Sequence, residues 1–428
     1  MRRLALLITV LLIITLTFTA CGDMLLGVGT EDLLQAPQLS SSQRDVLKAL
    51  TDYLGESIQL KYPRHGSFLS PLLFWDLNGD GVEEVIVLYT STSLGKNVNI
   101  ALMENEEGKW KFTFGTEGIN TDVERVEFTQ LHRDGSTQVI IGYTSLNLSD
   151  KYLEVYNYRD STLQKQYEQA YSDYGLADFT GDGKNDLVVV SLNSQPGPVQ
   201  ITLLSSNGQA FEQPVVTSLD NRFTSCSQFA ISSYRNGKSW IVLDGYIGAF
   251  LASEVLEYNG KLFVKYGLGT DVNVPTLSLR SQTDLTIRDI DNNGITEVPV
   301  VTEEIESIID TERMYWVSWY DYVINQNRPT QSGIVDTYYG YFLRLPDSWK
   351  GKVSIEPTPD VHEWLIRDIQ TGSVLLFVRI LAQGEELTSN RTYTQAATIG
   401  NYRIFLAPTE KTTAAEKRTL IGGITILI

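Results

Sequence analysis

Three nine-residue stretches carry side-chain oxygen at their first, third, fifth and ninth positions and a glycine at the sixth. They run Asp76-Leu77-Asn78-Gly79-Asp80-Gly81-Val82-Glu83-Glu84, Asp178-Phe179-Thr180-Gly181-Asp182-Gly183-Lys184-Asn185-Asp186 and Asp289-Ile290-Asp291-Asn292-Asn293-Gly294-Ile295-Thr296-Glu297. Ca²⁺ is a hard cation that takes about six to eight oxygen ligands. Alternate oxygen-bearing side chains converge on one point where a glycine lets the chain reverse. The expected ligands are therefore Asp76, Asn78, Asp80 and Glu84, then Asp178, Thr180, Asp182 and Asp186, then Asp289, Asp291, Asn293 and Glu297. The backbone carbonyls of Val82, Lys184 and Ile295 are natural further ligands. The expected cofactor is structural Ca²⁺, and no catalytic residue is assigned. Asp, Asn and Gly also build ordinary hairpin turns, so a metal-free turn is the competing reading. The EF-hand pattern is absent, because the stretches lack the bidentate Glu at the twelfth position and the flanking helices.

These loops belong to a repeat. Gly81, Gly135, Gly183, Gly237 and Gly294 each follow Asp or Asn and recur at intervals of 48 to 57 residues. Each precedes a short β-branched or aliphatic run, such as Val85-Ile86-Val87-Leu88 or Ile241-Val242-Leu243. The turns at Gly135 and Gly237 place Gln130, His132 and Gln138, and Ser232, Tyr234 and Trp240, in the ligand slots. They lack anionic oxygen there and are expected to hold no metal. A period near fifty with about four strands per unit predicts a β-propeller of about five blades over residues 58–330. Residues 58–74 are expected to close the ring against a last blade around 314–324. A stacked β-sandwich or an open array is the alternative.

The chain begins with Met1-Arg2-Arg3 and an apolar run over 4–18. That length suits a signal-peptide core and is short for a membrane span. Phe18-Thr19-Ala20-Cys21 resembles the bacterial lipobox, with Phe18 where Leu is usual. The resemblance implies a signal peptide over 1–20, cleavage before Cys21 and diacylation of that cysteine. The protein would then be a palmitate-bearing lipoprotein held at the cell membrane and facing its extracytoplasmic side. A plain secretory signal or an uncleaved anchor is the alternative. Residues 21–39 read as a tether, and residues 40–57 as an amphipathic helix with Val46, Leu47, Leu50 and Leu54 on one face. The other cysteine, Cys226, has no disulfide partner once Cys21 is acylated, and reads as a small core residue.

The in-phase Asp-x-[Asp/Asn/Thr]-x-[Asp/Asn]-Gly-x-x-[Asp/Glu] loops resemble the FG-GAP/VCBS repeats of integrin-α-type β-propellers. The resemblance covers residues 58–330 and implies structural calcium at 76–84, 178–186 and 289–297. Clear Phe-Gly and Gly-Ala-Pro blocks are missing. With the lipobox and the helix, the whole resembles propeller lipoproteins of Gram-positive bacteria.

Residues 331–428 are expected to form a small α+β domain after a polar linker at 325–331. Strands are predicted near 338–345, 353–355, 364–368, 373–380 and 402–406, with a helix at 385–392 or 413–419. The run from Tyr341 to Trp349 resembles the opening of PsbP-like domains. Trp349 and Trp364 read as core anchors.

The net charge of −18 argues against nucleic acid, which needs Lys/Arg clusters. His65, His132 and His362 lie in unrelated contexts, and no nucleophile elbow, phosphate loop or dinucleotide fingerprint occurs. The expected function is a non-catalytic binding or scaffolding module whose partner is an envelope protein or a glycan. The alternative is a glycan-active hydrolase with carboxylates at the propeller centre.

Overall fold

The computed structural model describes residues 39–145, 151–191, 198–234, 237–265, 278–302, 306–307, 314–323 and 328–427. Cys21, the expected signal peptide and all but the last residue of the expected tether lie outside the described residues.

The fold is mainly β, a β-propeller whose blades follow one another along the chain. The first sheet comprises β1 (Ile58–Leu60), β2 (Leu72–Trp75), β3 (Glu84–Ser91), β4 (Asn99–Glu106) and β5 (Lys109–Glu117). In it β1 and β2 both pair with β3, and β4 and β5 follow outward. The second is a meander of β6 (Asp122–Thr129), β7 (Gln138–Thr144), β8 (Lys151–Arg159) and β9 (Thr162–Ala170). The third runs β10 (Asp173–Ala177), β11 (Asp186–Ser191), β12 (Gln200–Leu204) and β13 (Val215–Ser218). The fourth runs β14 (Ser225–Ser233), β15 (Ser239–Ile247), β16 (Phe250–Tyr258) and β17 (Phe263–Lys265).

The apolar runs after each turn glycine are the second strands, and their unbroken hydrophobicity has a direct cause. Each second strand is buried on both faces, so successive side chains enter different cores. Ile86 and Leu88 meet Val139 and Ile141 between the first two sheets. Ile140 meets Leu187 and Val189 between the second and third. Val188 and Val190 meet Ile241 and Leu243 between the third and fourth. Trp240 and Val242 then face Val298 and Val300 of the fifth sheet. Each fully buried aliphatic side chain contributes about 1.5 to 3 kcal/mol, so these interfaces dominate the stability of the stack.

The outer face of the first sheet is covered by the helix Ser41–Leu54. Val46 and Leu50 pack on Leu72, Val85, Val87, Tyr89, Ala101 and Met103. Ser40 and Gln43 form a capping box at its start, and Gly55, at φ 70°, ends it. Strands β1 and β2 therefore complete the first sheet through β3, and do not close the ring against the last one. Their register on β3 is fixed by the residues 84–91 that follow the first turn glycine.

The fifth sheet has the order β18 (Val298–Thr302), β20 (Met314–Tyr320), β21 (Gln331–Asp336), β22 (Tyr341–Arg344) and β28 (Ile424–Ile426). A sixth sheet orders β19 (Glu306–Ser307), β23 (Val353–Pro357), β24 (Glu363–Asp368), β25 (Val374–Ala382), β27 (Tyr402–Pro408) and β26 (Thr394–Ile399). The sequence division at 330/331 falls between β20 and β21, which pair from Met314↔Asp336 to Trp319↔Gln331. Met314, Trp316, Ile334 and Leu343 share one core with Trp349, Trp364, Ile366 and Leu406, so the last blade and the C-terminal sheet are built against each other. The C-terminal helix spans Ala414–Leu420, residues 385–392 are not helical, and strand β26 had no sequence signal. Cys226 is half-buried beside the core between the third and fourth sheets, and burial pushes its thiol up to about 12. No helix among the described residues is long and apolar enough to cross a membrane.

Candidate metal centre

The five turns occupy one structural position. Residues 76–84, 130–138, 178–186 and 232–240 each connect the first strand of a sheet to its second. Residues 289–297 stand in the matching place before β18, where Arg288 and Glu297 form an isolated antiparallel bridge. All five turns therefore sit at the same end of their blades.

The three acidic loops share a hydrogen-bond frame. In the first, Asp76 accepts the Gly79, Asp80 and Gly81 N–H groups at 2.7, 3.1 and 2.9 Å. Asp178 takes the corresponding Gly181, Asp182 and Gly183 groups at 2.6, 3.1 and 2.8 Å. Asp289 takes Asn293 and Gly294 at 2.9 and 2.7 Å. The fifth residue, Asp80, Asp182 or Asn293, accepts the N–H of Val82, Lys184 or Ile295. The ninth residue is buried and accepts the N–H of the second: Glu84 from Leu77, Asp186 from Phe179 and Glu297 from Ile290. The sixth position is left-handed in every loop, with φ of 88°, 82° and 86° at Gly81, Gly183 and Gly294. Only glycine adopts that conformation without cost.

The third slot separates the loops chemically. Asn78 donates to Glu84 at 3.1 Å and to Asp80 at 3.1 Å, so both Glu84 oxygens have donors. The Thr180 N–H and hydroxyl both face Asp186, at 2.9 and 3.5 Å. Asp291 has no proton to give when ionised. Glu297 Oε1 is accordingly buried without a hydrogen-bond partner among the described residues. Asp289, Asp291 and Glu297 bring ligand oxygens within 4.8 Å of one another. Burial pushes Glu297 up to about 8 and Asp186 to about 6, and raises Glu84 and Asp291. A buried carboxylate oxygen with no donor, facing two further carboxylates, fits a divalent cation by its chemistry. The residues of the third loop fit Ca²⁺; the first and second loops satisfy their own carboxylates more fully.

The turn at Gly135 keeps part of the frame, and both turns without a ligand set carry cross-links in place of charge. Leu131 N–H donates to Gln138 at 2.6 Å and Ser136 N–H to Asp134 at 3.0 Å, matching the acidic loops. His132, fully buried, bonds Ser206 through Nδ1 and Gln166 through Nε2, each at 2.7 Å. Arg133 reaches Asp182 of the next loop at 2.9 Å. In the turn at Gly237, Ser232 accepts the Thr296 N–H at 2.9 Å, and the Tyr234 hydroxyl donates to Asp321. The sequence reading missed His132, Arg133 and Ser232 as structural partners. Their position in slots one, three and four of an in-phase turn was the available signal.

No protein-family model matches the chain, and no curated protein sequence matches it. Solved structures with a similar arrangement include the Dos1 propeller (10% identity, TM-score 0.33, 80% of this chain and 68% of that one). The Bacillus licheniformis rhamnogalacturonan lyase PL11 is also similar, at 12% identity and TM-score 0.33, over 75% of this chain and 64% of the lyase. A thermostable family-43 glycoside hydrolase aligns at 11% identity and TM-score 0.25, covering 68% of this chain and 90% of that one. This chain thus spans less than two thirds of the lyase's length.

Proposed function

We propose that the protein is an FG-GAP/VCBS-type propeller lipoprotein, anchored through Cys21 on the extracytoplasmic side of the membrane, that acts as a non-catalytic binding or scaffolding module. The observation that carries the calcium part is the partnerless, buried Glu297 Oε1 beside Asp289 and Asp291. Asp289, Asp291, Asn293 and Glu297 would hold the ion. When bound, it would supply the positive charge that these groups lack. Asp76 to Glu84 and Asp178 to Asp186 are proposed as weaker sites of the same kind.

The non-catalytic part is supported by how buried carboxylates away from the loops are used. Glu154 takes the Tyr156 hydroxyl at 2.6 Å and Lys165 at 3.1 Å. Asp244 is paired with Arg280 at 2.7 Å, both side chains fully buried. Glu363 is held by Arg391 at 3.1 Å and by Tyr393. Carboxylates committed in this way are poor proton donors and nucleophiles. The partner is proposed to be an envelope protein or a glycan.

The test is capture of envelope fractions by the full-length protein with and without calcium, alongside metal counting by mass spectrometry and melting in chelator. Calcium-dependent capture with bound metal supports the reading. A metal-free protein whose melting temperature ignores chelator removes the calcium, and hydrolysis of an envelope glycan removes the non-catalytic assignment.

A further inference from the structure

The first strands of the first two sheets end on Trp75 and Thr129, each one residue before its turn. Between the two turns lies a cleft of about 580 Å³, with Trp75, Asp76 and Glu83 on one side and Thr129 and Gln130 on the other. The cleft stays open because these two turns are not tied together. The second and third turns are laced by Arg133 to Asp182, Lys184 to Gln130 and Asn185 to Thr129, at 2.9, 2.9 and 3.3 Å. The fourth and fifth are joined by the Thr296 N–H and Ser232. Among the described residues, no hydrogen bond or ion pair joins residues 76–84 to residues 130–138.

Trp75 stands apart from the other tryptophans. Trp240, Trp316, Trp319, Trp349 and Trp364 are buried and Trp110 is half-buried in the core beneath the helix, whereas Trp75 keeps 39% of its surface exposed. Its ring is nevertheless fixed in place. It lies parallel to that of Phe128, with centroids 5.0 Å apart and planes at 5°. Phe68 stands at 78° to Trp75 and 76° to Phe128, with centroids 5.7 and 4.9 Å away. A ring about equally far from both members of a stack lies beside it, so Phe128 covers one face of the indole and Phe68 an edge. An aromatic side chain that is exposed yet clamped on two sides is ordered before any ligand arrives, which lowers the entropic cost of binding.

The polar groups around this platform select a ligand class. Lys184 can only donate, so its contact holds the Gln130 amide oxygen and leaves both amide N–H bonds to give. Thr129 Oγ1 accepts from Asn185 and keeps its own proton to donate. Asp76 is occupied by three backbone N–H groups, while Glu83 is exposed with no ion pair or hydrogen bond among the described residues. No lysine, arginine or histidine lines the cleft, so an anion would meet only carboxylates. A cation would suit Glu83 and the indole but give the Gln130 and Thr129 donors nothing to bond. Sugar hydroxyls both donate and accept, and the C–H face of a pyranose is flat and apolar enough to lie on an indole. The volume falls in the range of about 300 to 1,000 Å³ that small-molecule sites occupy. We infer that this cleft binds a neutral glycan, with one pyranose ring stacked on Trp75 and its hydroxyls bonded by Glu83, Gln130 and Thr129. The inference deepens the binding reading above, on which it rests, by giving it a site and a ligand class.

The experiment is saturation-transfer NMR on the full-length protein with cellobiose, lactose, mannobiose and N,N′-diacetylchitobiose, and with choline as the cationic probe. At least one sugar should receive saturation at millimolar concentration. Trp75→Ala should weaken its binding about tenfold or more through loss of the stacked ring. Because that change also uncovers Phe128, the double variant Glu83→Ala/Gln130→Ala serves as a second probe. It alters only exposed side chains, and should weaken binding about threefold or more with the melting temperature unchanged. No transfer to any of the sugars, undiminished transfer in either variant, or transfer to choline in place of the sugars overturns the assignment. Envelope capture is read separately, so capture that persists in Trp75→Ala with no sugar bound sinks this site and leaves the broader reading standing.

Discussion

The guanidinium of Arg133 ends 2.9 Å from the carboxylate of Asp182, so a turn with no ligand set of its own supplies a cation to the acidic loop of the next blade. Asp182 thus has a cationic partner, which Asp291 lacks among the described residues. Asp182→Asn should leave the response to chelator close to that of the wild type, while Asp291→Asn should abolish most of it. The measurement is the difference in melting temperature with calcium and with EDTA for each variant. Equal loss in both would mean that the three loops contribute alike and that the Arg133 contact carries no weight. The ion pair itself is half-exposed on the Arg133 side and is worth no more than about 1 kcal/mol.

Glu297→Gln makes a sharper test because its sign depends on calcium. In the ion-free protein Glu297 Oε1 is buried without a partner, and an amide nitrogen in its place can donate towards Asp289 and Asp291, whose oxygens lie within 4.8 Å. Gln can still accept the Ile290 N–H, which Glu297 Oε2 takes at 3.0 Å. The variant should therefore melt above the wild type in EDTA and below it in excess calcium, where linkage stabilises only the protein that binds the ion. Curves that keep the same order in both buffers would remove Glu297 from the ligand set.

The in-phase glycines made the five turns and the doubly buried second strands readable from sequence, because a left-handed turn and a run such as Val85 to Leu88 each leave a local mark. What decides between the loops was not readable in the same way. Asn78, Thr180 and Asp291 all look like oxygen ligands in sequence, but two of them can donate to the ninth-slot carboxylate and one cannot. The place of β21 in the fifth sheet was not readable either, because a later strand of a sheet resembles the start of a new unit until its partner is known.

The helix Ser41–Leu54 replaces a neighbouring blade on the first sheet, so its contacts should matter as much as core contacts do. Leu50 is fully buried among Val85, Val87 and Met103. Leu50→Ala should cost about 2 to 5 kcal/mol, and Ser40→Ala about 1 kcal/mol through loss of the cap bonded to Gln43. Denaturant titration of each variant checks both figures. A near-silent Leu50→Ala would show that the helix detaches readily and that the first sheet is stable with its outer face bare.

Asp220 gives a pH dependence that owes nothing to the metal loops. It accepts Arg222 Nε at 2.9 Å and Nη2 at 2.8 Å, with Lys265 at 3.5 Å. The Arg222 hydrogen bonds hold its carboxyl well below the usual carboxylate range. A group whose folded pKa is depressed binds fewer protons when folded, so its contribution is complete above the unfolded value of about 4. That contribution is lost as pH falls towards the folded value. Asp220→Asn should lower the melting temperature near neutral pH, and the gap to the wild type should narrow once the pH drops below about 4. Melts recorded in chelator across that range, so that calcium does not enter, would show the two curves converging. A gap that stays constant down to strongly acidic pH would mean that Asp220 acts through its shape and its backbone bond to Arg222 rather than through its charge.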